Sequence, residues 1–356
     1  MQTNNTIADA MARFLEHVQA SQSAGTARTY GIGLKRLEDY LASSGISPTA
    51  DVRELSVSLL TGFVTWLYNY LLGDIANGDP QRISESTKGT YFAALSRFLE
   101  YLVIETQLLP LTLDEYDTVR KVLAKGSKRQ SRTELPPDKL PSQQIIHDLL
   151  DEVRRPLELP SRTTPEMRRR LELIRLRDIA MIEALLSSGM RVSELVRLRR
   201  GHLLHEVRGA MVKYSKGKKD REVLFSDGAW QSIQAYLSAR ADGTPRTVTQ
   251  TRALADLPVF ARHDRRAGDQ VLPLTTRGVQ QIFMQLSARA GIIEKFQLTP
   301  HTLRHFFATE FLSQTGDLAL TQYALGHSSP NTTRIYAQTK REDYRRAHRE
   351  VFRRKE

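Results

Sequence analysis

A chain of 356 residues is too long for one ordinary core and fits two domains of about 100 to 200 residues each. Its 40% hydrophobic and 26% charged residues describe a globular chain, and no apolar run nears the ~18 residues of a membrane span, so no membrane role is expected. The absence of cysteine excludes disulfides and thiolate metal sites, and 52 Lys and Arg against 40 Asp and Glu give a net charge of +12.

That charge is uneven. Residues 1–125 carry 11 basic and 14 acidic side chains, so the excess lies wholly in residues 126–356. A positive field of this size suits a phosphate backbone or an anionic membrane surface. Met1 to Ala10 shows neither the basic nor the apolar region of a secretory signal, so a cytoplasmic location is expected.

In chain order, the first part reads as four amphipathic helices with no competing strand pattern. Ile7, Met11, Phe14 and Val18 recur at helical spacing, as do Leu60, Phe63, Val64, Leu67 and Leu71. Two further segments resemble each other: Thr29 and Tyr30 lead to Leu34, Leu37, Tyr40 and Leu41, and Thr90 and Tyr91 lead to Leu95, Phe98, Tyr101 and Leu102. Residues 1–125 are thus a helical domain. Residues 126–142, with Gly126, Lys128, Arg129, Pro136, Pro137 and Pro141, have little to bury and read as a linker, its basic run either crossing a phosphate backbone or simply solvated.

The second part is mixed. A helix with Ile179, Ile182, Leu185 and Leu186 stops at Gly189, and Met211–Ser215 and Glu222–Phe225 flank a charged turn as a hairpin. Helices follow near Trp230–Leu237, Val279–Ala290, Pro300–Ser313 and Leu318–Leu325, and from Pro330 onward. The expected fold class is mainly α with a small antiparallel β-sheet in the C-terminal domain.

Thr299 and Pro300 are a helix start that puts His301 and Arg304 three residues apart on one face, with Leu303, Phe306, Phe307 and Phe311 as the anchor opposite. His301 and His305 have the i, i+4 spacing of zinc ligands, but no glutamate follows the first and no cysteine exists, so no metal site is expected. No glycine-rich phosphate loop is present either, and no cofactor is expected.

These residues form a resemblance. His301-Thr302-Leu303-Arg304-His305, Leu325-Gly326-His327-Ser328 and Thr333-Arg334-Ile335-Tyr336 resemble the C-terminal signature of the tyrosine recombinases, the lambda-integrase and Xer group. Ser188-Gly189-Met190-Arg191-Val192-Ser193-Glu194-Leu195 resembles the family's first arginine box, and Lys216-Gly217-Lys218-Lys219-Asp220-Arg221 its lysine hairpin. The likeness is close over residues 170–340 and looser over Ile7–Ile104, as the family's core-binding domain. It implies a two-domain DNA clamp with a catalytic domain at 143–340 and a C-terminal helix, 341–356, exchanged between protomers.

The chemistry explains the residue types. Phosphodiester cleavage gathers negative charge on the non-bridging oxygens, which planar guanidinium groups match, so Arg191 and Arg304 are the expected clamp. A phenolic oxygen forms an ester it can later leave, the role expected of Tyr336. The departing 5′ oxygen needs a proton, and Lys216 is expected to supply it, with Lys218 and Lys219 beside it as alternatives. By family position His301 and His327 bind the same phosphate, and Glu194 orients Arg191 or is a solvated carboxylate. Lys128, Arg129, Lys218, Lys219 and Arg221 are the expected DNA contacts. The implied partners are double-stranded DNA with inverted-repeat core sites and a homotetramer on that DNA. A type IB topoisomerase uses the same residue types; the helical first domain and the short interval from His327 to Tyr336 favour recombination. A DNA-binding protein with a decayed site would lack one of the six catalytic residues, and none is missing.

Overall fold

The computed structural model describes residues 5–72, 81–126, 139–156, 158–213, 220–240, 254–268 and 270–326. The chain divides into two compact units, Met1–Ser131 and Arg132–Glu356. No helix among the described residues is long and apolar enough to cross a membrane.

Unit 1 holds five α-helices among its described residues: α1 Ile7–Ser21, α2 Ala24–Ser43, α3 Val57–Asn69, α4 Glu85–Glu100 and α5 Leu113–Gly126. Ser or Thr side chains cap the first four, each accepting a backbone N–H from the first turn. Phe14 meets Tyr30, Phe98 and Tyr101, and Phe63 meets Tyr40, Trp66 and Phe92, so the core is joined by aromatic contacts across helices. The two look-alike segments are neighbours, α2 packing on α4. Thr29 and Thr90 make the same hydrogen bond, each hydroxyl donating to the carbonyl four residues earlier.

The expected four helices are thus one too few. α5 was missed because its inward stripe is only Val119 and Leu123, both fully buried, on an otherwise charged helix. The expectation of no strand is also corrected: β1 Leu71–Leu72 pairs antiparallel with β2 Gln81–Arg82, a two-residue ladder too short to show alternation.

Unit 2 is built around α7, Pro165–Ser188, against which α6 Gln143–Arg154, α9 Asp227–Arg240 and α11 Pro300–Thr315 all pack. α8 Val192–Leu195, α10 Thr276–Arg289 and α12 Leu318–Leu325 complete its described helices. The core is Leu149, Met181, Leu185, Leu195, Val212, Ile233, Phe283 and Leu303. α6 was not anticipated, although Ile146, Leu149 and Val153 give it an inward stripe.

The sheet is a three-stranded antiparallel meander, β3 Leu203–Leu204, β4 Gly209–Val212 and β5 Arg221–Leu224, in the order β3-β4-β5. The hairpin was expected; β3 was not. Val212 stands opposite Arg221 and Ala210 opposite Val223. Along β5, Arg221 and Val223 are buried while Glu222 and Leu224 are exposed, the period-two alternation of a half-buried strand. The architecture is mainly α with one small antiparallel sheet in unit 2.

Candidate functional site

The site forms where two helices of unit 2 stop. α7 ends at Gly189, in the left-handed region at φ 59°, and its N–H donates to the Leu185 carbonyl at 3.1 Å. Glycine is required here twice over: the conformation disfavours a side chain, and a Cβ would stand 2.8 Å from Cε1 of Phe307 and closer still to Cδ1. The chain then turns to Arg191, extended at φ −73° and ψ 148°, just before the short helix α8.

Glu194 folds back over this turn. Its Oε2 accepts the Arg191 backbone N–H at 2.8 Å and its Oε1 accepts Arg191 Nη1 at 2.9 Å, fixing both ends of one residue. Oε2 also accepts Arg221 Nη2 from β5 at 3.0 Å. The Glu194 and Arg221 side chains are 6% and 7% exposed, whereas that of Arg191 is 39% exposed, so the carboxylate is buried between one hidden and one accessible cation.

Arg304 closes the other side. On the second turn of α11, it donates Nη1 to the Gly189 carbonyl at 2.5 Å and Nη2 to the Leu325 carbonyl at 2.7 Å. Those are C-terminal carbonyls of α7 and α12, groups that lack partners within their helices and lie at the negative ends of the helix dipoles. One planar fork therefore ties two helix ends together. Next to Leu325, Gly326 ends α12 at φ 63°, against Arg221.

His301, one turn before Arg304, is exposed, and its ring lies 4.2 Å from that of the buried His305. Its ring is still partly shielded from water, and its pKa is lowered by that partial burial first and then by the charges of Arg304 and Arg191. The shift favours the neutral imidazole, the form able to take a proton. No group of three His, Asp or Glu among the described residues could hold a metal ion.

Two expectations need correction. Arg304 does not point outward from an aromatic anchor: it is 3% exposed, while Phe306, Phe307 and Phe311 are only partly buried. The cause is the pair of helix-end carbonyls, which draw the guanidinium inward. Arg221, expected as a DNA contact, is buried and paired with Glu194, because β5 alternation turns it toward the core. Glu194 is likewise no solvated carboxylate. The inward place of Arg221 was legible from Val223, two residues on. Lys128, Arg129, Lys216, Lys218, Lys219, His327 and Tyr336 lie outside the described residues.

Arginines held by a carboxylate and by helix ends, with a histidine beside them, are the residue types that suit an oxyanion-rich group such as a phosphate. Residues 162–343 match the phage integrase family and residues 6–109 the phage integrase SAM-like domain. This chain belongs to the phage integrase family, the tyrosine-type site-specific recombinases. It is 26% identical to tyrosine recombinase XerC of Halalkalibacterium halodurans over 332 residues, 93% of this chain and 92% of that one. It is 36% identical to tyrosine recombinase XerD of Oceanobacillus iheyensis over 186 residues, which are 52% of this chain and only 55% of that relative. In fold it is similar to XerH recombinase bound to its difH substrate, with a TM-score of 0.62 at 19% identity over 96% of this chain and 84% of that one. The Tn1549 transposon integrase in complex with transposon right end DNA gives 0.65 at 15% identity, over 98% and 100%.

Proposed function

We propose that this protein is a site-specific DNA recombinase that cuts and rejoins strands through a 3′-phosphotyrosine intermediate. It acts as a homotetramer on paired inverted-repeat core sites, by way of a Holliday junction. The observation that carries the reading is the convergence of Arg191, Arg304 and His301 on the turn at Gly189. Family membership and the DNA-bound state of the structural neighbours support it.

In this reading the phenolic oxygen of Tyr336 attacks the scissile phosphorus and loses its proton to His301. The bond from phosphorus to the 5′ oxygen breaks, and Lys216 gives that oxygen a proton. Arg191, Arg304 and His327 hold the non-bridging oxygens as their charge grows. His301 is suited to its part because burial, and then the neighbouring cations, favour its neutral form; the scissile phosphate favours its charged form. One phosphodiester replaces another, so no external energy source is needed. Rejoining runs the same steps backward with a different 5′ hydroxyl.

Unit 1 is the core-binding domain and unit 2 the catalytic domain. The linker residues Lys128 and Arg129 and the hairpin residues Lys218 and Lys219 track phosphates. The test is the covalent adduct: full-length protein is incubated with a library of random duplexes, and denaturant-resistant complexes are sequenced. Wild type is expected to trap a discrete site and Tyr336→Phe to bind that site without an adduct. An adduct that survives the substitution overturns the proposal.

A further inference from the structure

The steps above leave one arginine of the site without a part. Arg221 touches two things at once. Its Nη2 donates to the carboxylate of Glu194 that also holds Arg191, and its Nε and Cδ occupy the space a Cβ on Gly326 would need, where α12 ends. The neighbouring carbonyl, Leu325, is the one that receives Arg304.

We propose that Arg221 is a positioning residue that ties the orientation of Arg191 to the turn at Gly326, from which the chain runs on to His327 and Tyr336. The inference rests on the recombinase reading and deepens it. Glu194 is too buried to keep its charge without close cations. Arg191, the accessible partner, has to share its guanidinium with a bound phosphate. Arg221 is the fixed counterion that lets it do so, since Glu194 remains paired whenever Arg191 engages substrate. Because the fork is planar and its stem fills the space beside Gly326, displacement of the turn displaces the fork, and with it the carboxylate that aims Arg191. A direct hold on DNA is the competing role for this buried side chain, 7% exposed in a strand whose outward residues are Glu222 and Leu224, and the salt series below separates the two.

The test uses the full chain and the duplex recovered by covalent trapping with wild type. Arg221→Met, Arg221→Lys, Glu194→Gln and the double variant Arg221→Met with Glu194→Gln are compared for adduct formation at saturating DNA, and for affinity across a salt series. Arg221→Met should slow adduct formation about 10- to 100-fold, the usual effect of removing a group that orients an active residue. Affinity should stay within about twofold, with an unchanged salt slope. The double variant should lie within about threefold of the slower single variant, because both substitutions break one linkage. Arg221→Lys, a single-point cation, should recover part of the rate and provides the same comparisons if Arg221→Met does not fold.

Three results overturn the assignment: a wild-type rate in Arg221→Met, single effects that multiply in the double variant, or a salt slope reduced by about one, which marks a phosphate contact. If wild type itself yields no adduct on any duplex, the recombinase reading fails rather than this assignment.

Discussion

Arg221 fills the space that a side chain at position 326 would need: a Cβ there would stand 2.6 Å from Cδ of Arg221 and closer still to Nε. Gly326 is also in the left-handed region, at φ 63°. Gly316, at the end of α11, has nearly the same φ of 66° but open space around it. Gly316→Ala should therefore cost only the left-handed strain, about 1 kcal/mol, and leave adduct formation intact. Gly326→Ala should cost more and also slow cleavage. Urea melts and single-turnover adduct assays check both, and equal behaviour of the two variants would show that the contact with Arg221 has no consequence.

Arg304 bonds carbonyls at the ends of two helices, which a lysine's single ammonium cannot span. Arg304→Lys should destabilise unit 2 by about 2 to 4 kcal/mol, since a buried carbonyl left unpaired costs about 1 to 3 kcal/mol. It should also abolish cleavage. Equilibrium unfolding that matches wild type would mean the two helix ends are held by something else.

His301 titrates below its ordinary value, through burial and then through Arg304 and Arg191. Removing a cation favours the protonated form, so Arg191→Gln should raise the midpoint, measured by NMR of the imidazole ring protons. A base whose folded pKa is lowered binds more protons unfolded, so it contributes stability that is present above the unfolded pKa and lost as pH falls below it. Acid below the ordinary histidine range should thus weaken unit 2 less in His301→Gln than in wild type. A midpoint that stays or falls in Arg191→Gln would place Arg191 out of electrostatic reach of His301.

If Lys216 protonates the 5′ oxygen, a substrate with sulfur at that bridging position needs no proton, because a thiolate leaves unaided. Cleavage of that substrate by Lys216→Ala should approach the wild-type rate, while the ordinary oxygen substrate stays slow. Rescue confined to Lys218→Ala or Lys219→Ala would reassign the role.

After Tyr336 the sequence places Tyr344, Ala347, His348, Val351 and Phe352 at helical spacing among arginines. These residues lie outside the described ones. If they dock on a neighbouring protomer, deleting residues 342–356 should leave single-site binding intact and abolish tetramer formation on paired sites, read by analytical ultracentrifugation. A truncated chain that binds a single site poorly would show that the segment serves its own domain instead.

The sequence by itself determined the helix ends and the chemistry carried there. Gly189, the Thr299-Pro300 start and Gly326 are local signals: a left-handed position, a cap and a fixed φ need no partner to be recognised. They sufficed to align Arg191, His301 and Arg304 with a known pattern. α5 escaped because its inward stripe is only two residues, and β1, β2 and β3 because two-residue strands show no period; α6 carried a legible stripe at Ile146, Leu149 and Val153. Only the tertiary structure decided which charges are hidden. Arg304 and Arg221 read as exposed cations, yet each is drawn inward by partners far away in sequence: Gly189 and Leu325 for one, Glu194 for the other. A buried charge needs compensating dipoles or a counterion, and for these two arginines distant segments bring them, a meeting that is a property of the fold rather than of any short stretch of chain.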